Sequence, residues 1–342
     1  MLLHLLLPIG FTLSPLLGWV LDLPWLTLLI AMLLLPLAEW LFGRSHALGQ
    51  DAVSAANNAP NYQWQPWHLR AAMLLVLIIC IGFALHAPHM RAGSFWLMAF
   101  SCGYVAGAIG IVLAHELAHR RRLIDRSLAR ALLCWIGFGH YAIEHNRGHH
   151  RAAATLHDPA SARQDESLWS FMPRYFAGVF MQAVRLSRQK PGPINEALAL
   201  TAVSLLLALL LVIIAGVEAL GFALITACTA QTLVATIDYV EHWGLQREVI
   251  DGKPERIGPQ HIWDCSNRIS DALLFNLPRH AAHHLEPSLD CNALRRVSTS
   301  PQMPTGYAGM SLLSAFWPLY RHIMTPRLPS NAPTPTTIAV PA

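Results

Sequence analysis

Apolar residues along this chain are gathered into long runs separated by polar stretches. Six runs approach the roughly 20 residues that a helix needs to cross a bilayer: they lie near 2–21, 24–42, 69–86, 94–114, 197–215 and 217–237. The first pair is joined by a short turn around Asp22 and Pro24. The last pair meets at Gly216 to Gly221 as a tight hairpin, with Glu218 at the membrane surface. A further apolar stretch from Ser127, "SLARALLCWIGFGHYAIEH", is short and interrupted, so it is expected to be buried or interfacial instead of spanning. The loop over 50–61 reads as a plain connector. The proline-rich "PSNAPTPTTIAVPA" over 329–342 reads as a disordered tail. The pattern therefore predicts an all-α integral membrane protein, with six transmembrane helices in a single domain over 1–328.

Composition supports the membrane reading. Hydrophobic residues make up 54% of the 342 and charged residues only 13%, against about 25% charged in an ordinary soluble domain. Charge also sets an orientation. Of the 24 Lys and Arg, only Arg91 falls in one of the three short hairpins. The excess on the other side places the large polar loops in the cytoplasm. The net charge of +4 is scattered, with no basic stripe interleaved with aromatics, which excludes a nucleic-acid binder. The six cysteines include no C-x-x-C pair, so neither a zinc ribbon nor a fused rubredoxin-like iron site is expected. Cys80, Cys102 and Cys228 read as packing residues. The N-terminus lacks the basic start and cleavage site of a signal peptide, so its apolar run is expected to be a retained helix.

Histidine changes the picture. Nine of the 18 histidines fall into four tight groups: His115 and His119 in "HELAH", His145, His149 and His150 in "EHNRGHH", His242 in "DYVEHWGL", and His280, His283 and His284 in "RHAAHH". On a helix, each spacing projects its set from one face. All four groups fall on the same predicted side of the membrane. Such a set suits a borderline metal such as iron or zinc. Nine imidazoles exceed the ligand number of one metal; shared between two, they leave each with four or five. Glu116, Glu144, Glu241 and Asp238 adjoin these groups. The three glutamates are placed to hold imidazole N–H groups and offset metal charge. His140, His157 and His261 are nearer the groups than the remaining histidines but are not expected to ligate.

Taken together, these motifs resemble the membrane-bound non-haem diiron alkane monooxygenases of the fatty acid desaturase and hydroxylase superfamily. "HELAHR", "EHNRGHH", "DYVEHWGL" and "FNLPRHAAHH" match its histidine signatures. "HDPASARQDESLWSFMPR" and "SPQMPTGYAGM" are similar to further family segments. The resemblance covers about 114–328. It implies a six-helix fold in the bacterial inner membrane with a cytoplasmic cap holding two irons on the nine histidines. It also implies oxygen-dependent terminal hydroxylation of medium-chain n-alkanes, with electrons from rubredoxin and an NAD(P)H-dependent reductase. Departures are concentrated in two signatures. Ala281 and Ala282 stand where the family usually has Ser-Asp, Pro278 replaces Gln, and Asp238 and Trp243 replace Asn and Tyr.

The lost carboxylate keeps other diiron reactions open: methyl hydroxylation of alkyl aromatics, fatty acid desaturation, or decarboxylation to a terminal alkene. HELAH alone also fits a zinc peptidase, and a metal or lipid sensor needs no chemistry at all. For the alkane reading, Trp19, Trp25, Trp40 and Trp96 are candidates to limit the depth of a substrate cavity, or else form an interfacial belt.

Overall fold

The computed structural model describes residues 2–43, 64–189 and 192–329. The 50–61 connector lies outside them, as does all but the first residue of the 329–342 tail. The described chain is mostly helical, and its two-stranded sheet, Val249–Ile250 with Lys253–Pro254, is small and peripheral. Four helices are long and apolar enough to cross a membrane: Leu3–Val20, Pro66–His89, Ala92–His119 and Glu196–His242. Leu26–Phe42 is a shorter apolar helix.

The 196–242 helix is bent at Gly216, whose backbone is non-helical (φ 80, ψ −177). Only glycine adopts that conformation without strain. Its two halves fold back on each other. Leu200 and Gln231 would sit about 46 Å apart along a straight helix. Both instead touch one short segment: the Cys134 Sγ–H points at the Leu200 carbonyl at 3.6 Å, and the Gln231 amide donates to the Ile136 carbonyl at 2.6 Å. The hairpin expected at Gly216 is therefore present.

The Ser127 stretch resolves into an inserted loop. Leu123–Trp135 runs back along 92–119, so that Leu132 reaches Gly110. The chain turns at 136–140 and returns through 141–152. Ala92–His119 is the centre of the bundle. A Cβ at Gly103 would lie 2.4 Å from that of Thr229, and one at Gly107 would lie 3.1 Å from the Ala230 backbone. The two glycines thus let the 92–119 and 217–242 segments approach closely, as small residues do between membrane helices. Thr226 adds an interhelical bond to the Ala99 carbonyl at 3.2 Å. Cys80 and Cys102 are buried as expected, whereas Cys228 is exposed on the outside of the bundle.

Two joints tie the polar part to the apolar helices. Arg70, at the start of 66–86, donates to both oxygens of the buried Asp125 at 2.6 and 3.3 Å. Glu39, near the end of 26–42, accepts the Ala308 and Gly309 N–H groups at 3.1 and 2.8 Å.

Candidate metal centre

The four histidine groups converge into two clusters. Five imidazoles, His115, His119, His145, His150 and His283, form one; His149, His242, His280 and His284 form the other. Within each, the nitrogens on offer lie within 4.8 Å of one another. The Nε2 of His150 approaches those of His145, His283 and His119 at 3.0, 3.1 and 3.3 Å. In the four-histidine cluster, the Nε2 pairs His149–His284 and His242–His280 are both 3.2 Å apart.

The second histidine motif does not project from one face. His145–His149 forms a π-turn, in which residues five apart, not four, come into register. His145 and His150 therefore share a cluster, while His149 is turned into the other. Gly148 makes the turn possible, because a Cβ there would sit 2.7 Å from the Gln182 amide and 3.0 Å from Glu144. Another π-turn, Ala106–Ile111, precedes HELAH. The last motif is delivered by a turn through Phe275 (φ 55) and Asn276 (φ 63). A left-handed phenylalanine costs about 1–3 kcal/mol. The Trp64 ring at 4.6 Å and the Asn276 amide bond to the Cys291 carbonyl hold the turn.

These residues fit metal ions. A metal needs unprotonated imidazole. Burial, followed by neighbouring imidazoles, pushes His145, His150, His280, His283 and His284 well below the usual imidazole value. His149 differs. Burial opposes its charge, but the Asp158 carboxylate overrides this and raises it to about 9. Its Nδ1–H donates to Asp158 at 2.9 Å, which turns Nε2 towards His284. Asp158 also accepts Ser161 Oγ–H and the Ala160 N–H.

Of the four acids adjoining the histidine groups, Glu241 is the one in contact with a clustered imidazole. Its Oε2 lies 3.2 Å from His280 Nε2, and its Oε1 accepts the Tyr307 hydroxyl. Asp238 accepts the Tyr175 hydroxyl at 2.6 Å. Glu116 is turned away and accepts Arg120 at 3.0 Å; Arg120 also pairs with Asp290. No hydrogen bond joins Glu144 to a clustered imidazole among the described residues. Asp158 and Tyr307 were not singled out from sequence, although both lie in segments that resemble the family. Asp264, also unforeseen, accepts the Ala281 N–H at 3.2 Å beside the altered last motif.

A cavity of about 900 Å³, counting its open mouth, leads to both clusters. Phe11, Ala31, Leu35, Ile111, Leu233 and Ile237 supply apolar wall. His115, His145, His280, Asp238, Glu241 and Tyr307 supply the polar lining. The four tryptophans do not line it. Trp25, Trp40 and Trp96 are exposed, and Trp19 packs on Phe83 and His86.

Comparison with known proteins agrees with this site. The fatty acid desaturase family matches residues 94–314. Alkane 1-monooxygenase 2 of Pseudomonas aeruginosa is 32% identical over 89% of this chain and 84% of its own length. Alkane 1-monooxygenase of Pseudomonas putida is 31% identical over 86% of this chain and 75% of its own. The hydroxylase component of a Pseudomonas putida xylene/toluene monooxygenase is 28% identical over 60% of this chain and 57% of its own. The apolar helices, the paired histidine clusters and these likenesses converge: the chain is a membrane oxidoreductase with a histidine-built metal site, and it belongs to the fatty acid desaturase family, among its alkane 1-monooxygenases.

Proposed function

We propose that this protein hydroxylates medium-chain n-alkanes to 1-alkanols, using dioxygen and electrons from rubredoxin and its NAD(P)H-dependent reductase. The observation that carries the reading is the end of the cavity: a largely apolar passage terminates at two imidazole clusters. His115, His119, His145, His150 and His283 would hold one iron, and His149, His242, His280 and His284 the other. Iron bound there supplies redox chemistry for activating dioxygen, which zinc lacks.

The protein's own part is orientation and exclusion. Asp158 holds a proton on His149 Nδ1, leaving Nε2 as the donor. Tyr307 holds Glu241 beside His280, where its charge offsets that of the metals. The apolar walls exclude water and direct one end of an unbranched chain towards the imidazoles. Burial of Glu116 against Arg120 speaks against its use as the base of a zinc peptidase.

Six spans in one domain over 1–328 accord with the fold-back at Gly216 and the shorter 26–42 helix. The lysine and arginine asymmetry favours a bacterial inner membrane with the metal centre facing the cytoplasm. A second reading, hydroxylation of an alkyl-aromatic methyl group, draws on the similarity to the xylene/toluene monooxygenase component and on Ala281 and Ala282. Reconstituted membranes with an electron donor are given decane, xylene and a medium-chain fatty acid separately. 1-Decanol is the expected principal product. A benzylic alcohol without decanol would transfer the assignment to the second reading.

A further inference from the structure

Glu39 is an acid at the end of an otherwise apolar helix, and no histidine motif includes it. It is nonetheless 3% exposed and fully engaged. The Ser270 hydroxyl donates to its Oε1 at 2.5 Å, and the Ala308 and Gly309 N–H groups donate at 3.1 and 2.8 Å. The carboxylate therefore caps the Tyr307–Ser314 helix across 269 residues of sequence. Gly306 is shaped to admit it, because a Cβ there would fall 2.2 Å from the Glu39 carboxyl carbon. Ser270 Oγ in turn accepts the Tyr307 N–H at 2.9 Å. A continuous chain results: Glu39 to Ser270, Ser270 to Tyr307, Tyr307 to Glu241, and Glu241 to within 3.2 Å of His280.

The same joint fixes the cavity. Ala31 and Leu35 lie on the face of 26–42 that also carries Glu39, and they line one wall; Tyr307, Ala308 and Ser311 line another. A buried acid within an apolar helix is costly and is kept where it has partners and a task. We propose that Glu39 is a positioning residue of the metal centre. It locks the cavity wall to the Tyr307 helix, so that the place of the substrate chain and the orientation of Glu241 are set together. This rests on the functional reading above.

The test uses iron-loaded full-length protein in lipid nanodiscs, comparing Glu39→Ala, Ser270→Ala, Tyr307→Phe and Glu39→Ala with Tyr307→Phe. Iron content is expected to stay near wild type in all four, because every histidine remains. The Mössbauer spectrum of the resting protein, read without substrate, is expected to shift alike in Glu39→Ala and Tyr307→Phe, with no further shift in the double variant. Decanol formed per dioxygen consumed should fall about tenfold in each, with kcat falling more than KM rises. Glu39→Gln keeps one of the two acceptor oxygens of the cap and should recover part of the yield. A wild-type spectrum in Glu39→Ala, or shifts that add independently in the double variant, would overturn the proposal. If Glu39→Ala does not accumulate, Ser270→Ala decides by the same criteria, since it breaks the link to Tyr307 and leaves the cap. A wild type that oxidises no alkane defeats the functional reading alone, since the spectral comparison needs no substrate.

Discussion

The two imidazole clusters are unequal. The five-histidine cluster comes near the surface, with His119 and His150 half-buried. Arg120 pairs beside it with Glu116 and Asp290, and no carboxylate bonds its imidazoles among the described residues. The four-histidine cluster is wholly buried and has two carboxylates in contact, Asp158 on His149 and Glu241 on His280. More neutral donors serve one cluster; fewer donors with nearby negative charge serve the other. Two metals held this way would differ in affinity, in pH response and in access to an external electron donor.

Removing single donors should have the largest effect and separate the clusters. His283→Ala is expected to empty the five-histidine site and His284→Ala the four-histidine site. Each should retain about one metal by elemental analysis and lose measurable turnover, while His86→Ala keeps both. Loss of the same metal in both variants would dissolve the distinction. Asp158→Asn comes next. Without a carboxylate to orient His149, affinity at the four-histidine site should fall about 10–100-fold. Competition with a metal-ion chelator reads this out, and the other site should be unchanged.

Acidity provides a graded comparison. In metal-free protein His149, raised to about 9, holds two protons at neutral pH. A metal must displace the Nε2 proton, so affinity at this cluster should drop up to about tenfold per unit as pH falls from about 9. His145, His150 and His283 lie below the usual imidazole value and impose no such competition near neutrality. Between pH 8 and 6 one metal is therefore released before the other, as titration followed by iron analysis would show. Simultaneous release would contradict the assignment. Stability has the opposite source. The depressed histidines are neutral when folded and take protons when unfolded below about 6.5. Their contribution is full above that value and is lost as pH falls towards their folded values. Glu116→Gln should have the smallest effect on metal content, leaving it within about twofold, since among the described residues Glu116 bonds Arg120 and no clustered imidazole.

Much of this centre was legible in sequence. The nine histidines, the apolar helices and the hairpin at Gly216 follow from residue type and local spacing. The carboxylates were less so. Glu116 adjoins His115 in sequence yet serves Arg120, whereas Asp158 reaches His149 from nine residues away. Adjacency on a helix turns neighbouring side chains about 100° apart, so a residue next to a ligand usually faces elsewhere. Glu39 carried no local signal, because its partners lie more than 200 residues on.

By itself, then, the sequence determined the chemistry available: nine imidazole donors, an apolar surround and the family. Tertiary structure decided how the donors are divided. A π-turn adds one residue to a helical turn, which sends His149 to one cluster and leaves His145 and His150 in the other. That choice depends on packing of Gly148 against Gln182 and Glu144, and on a bond to Asp158. A period of 3.6 residues cannot report such contacts, because they are made between elements that meet only in the folded chain.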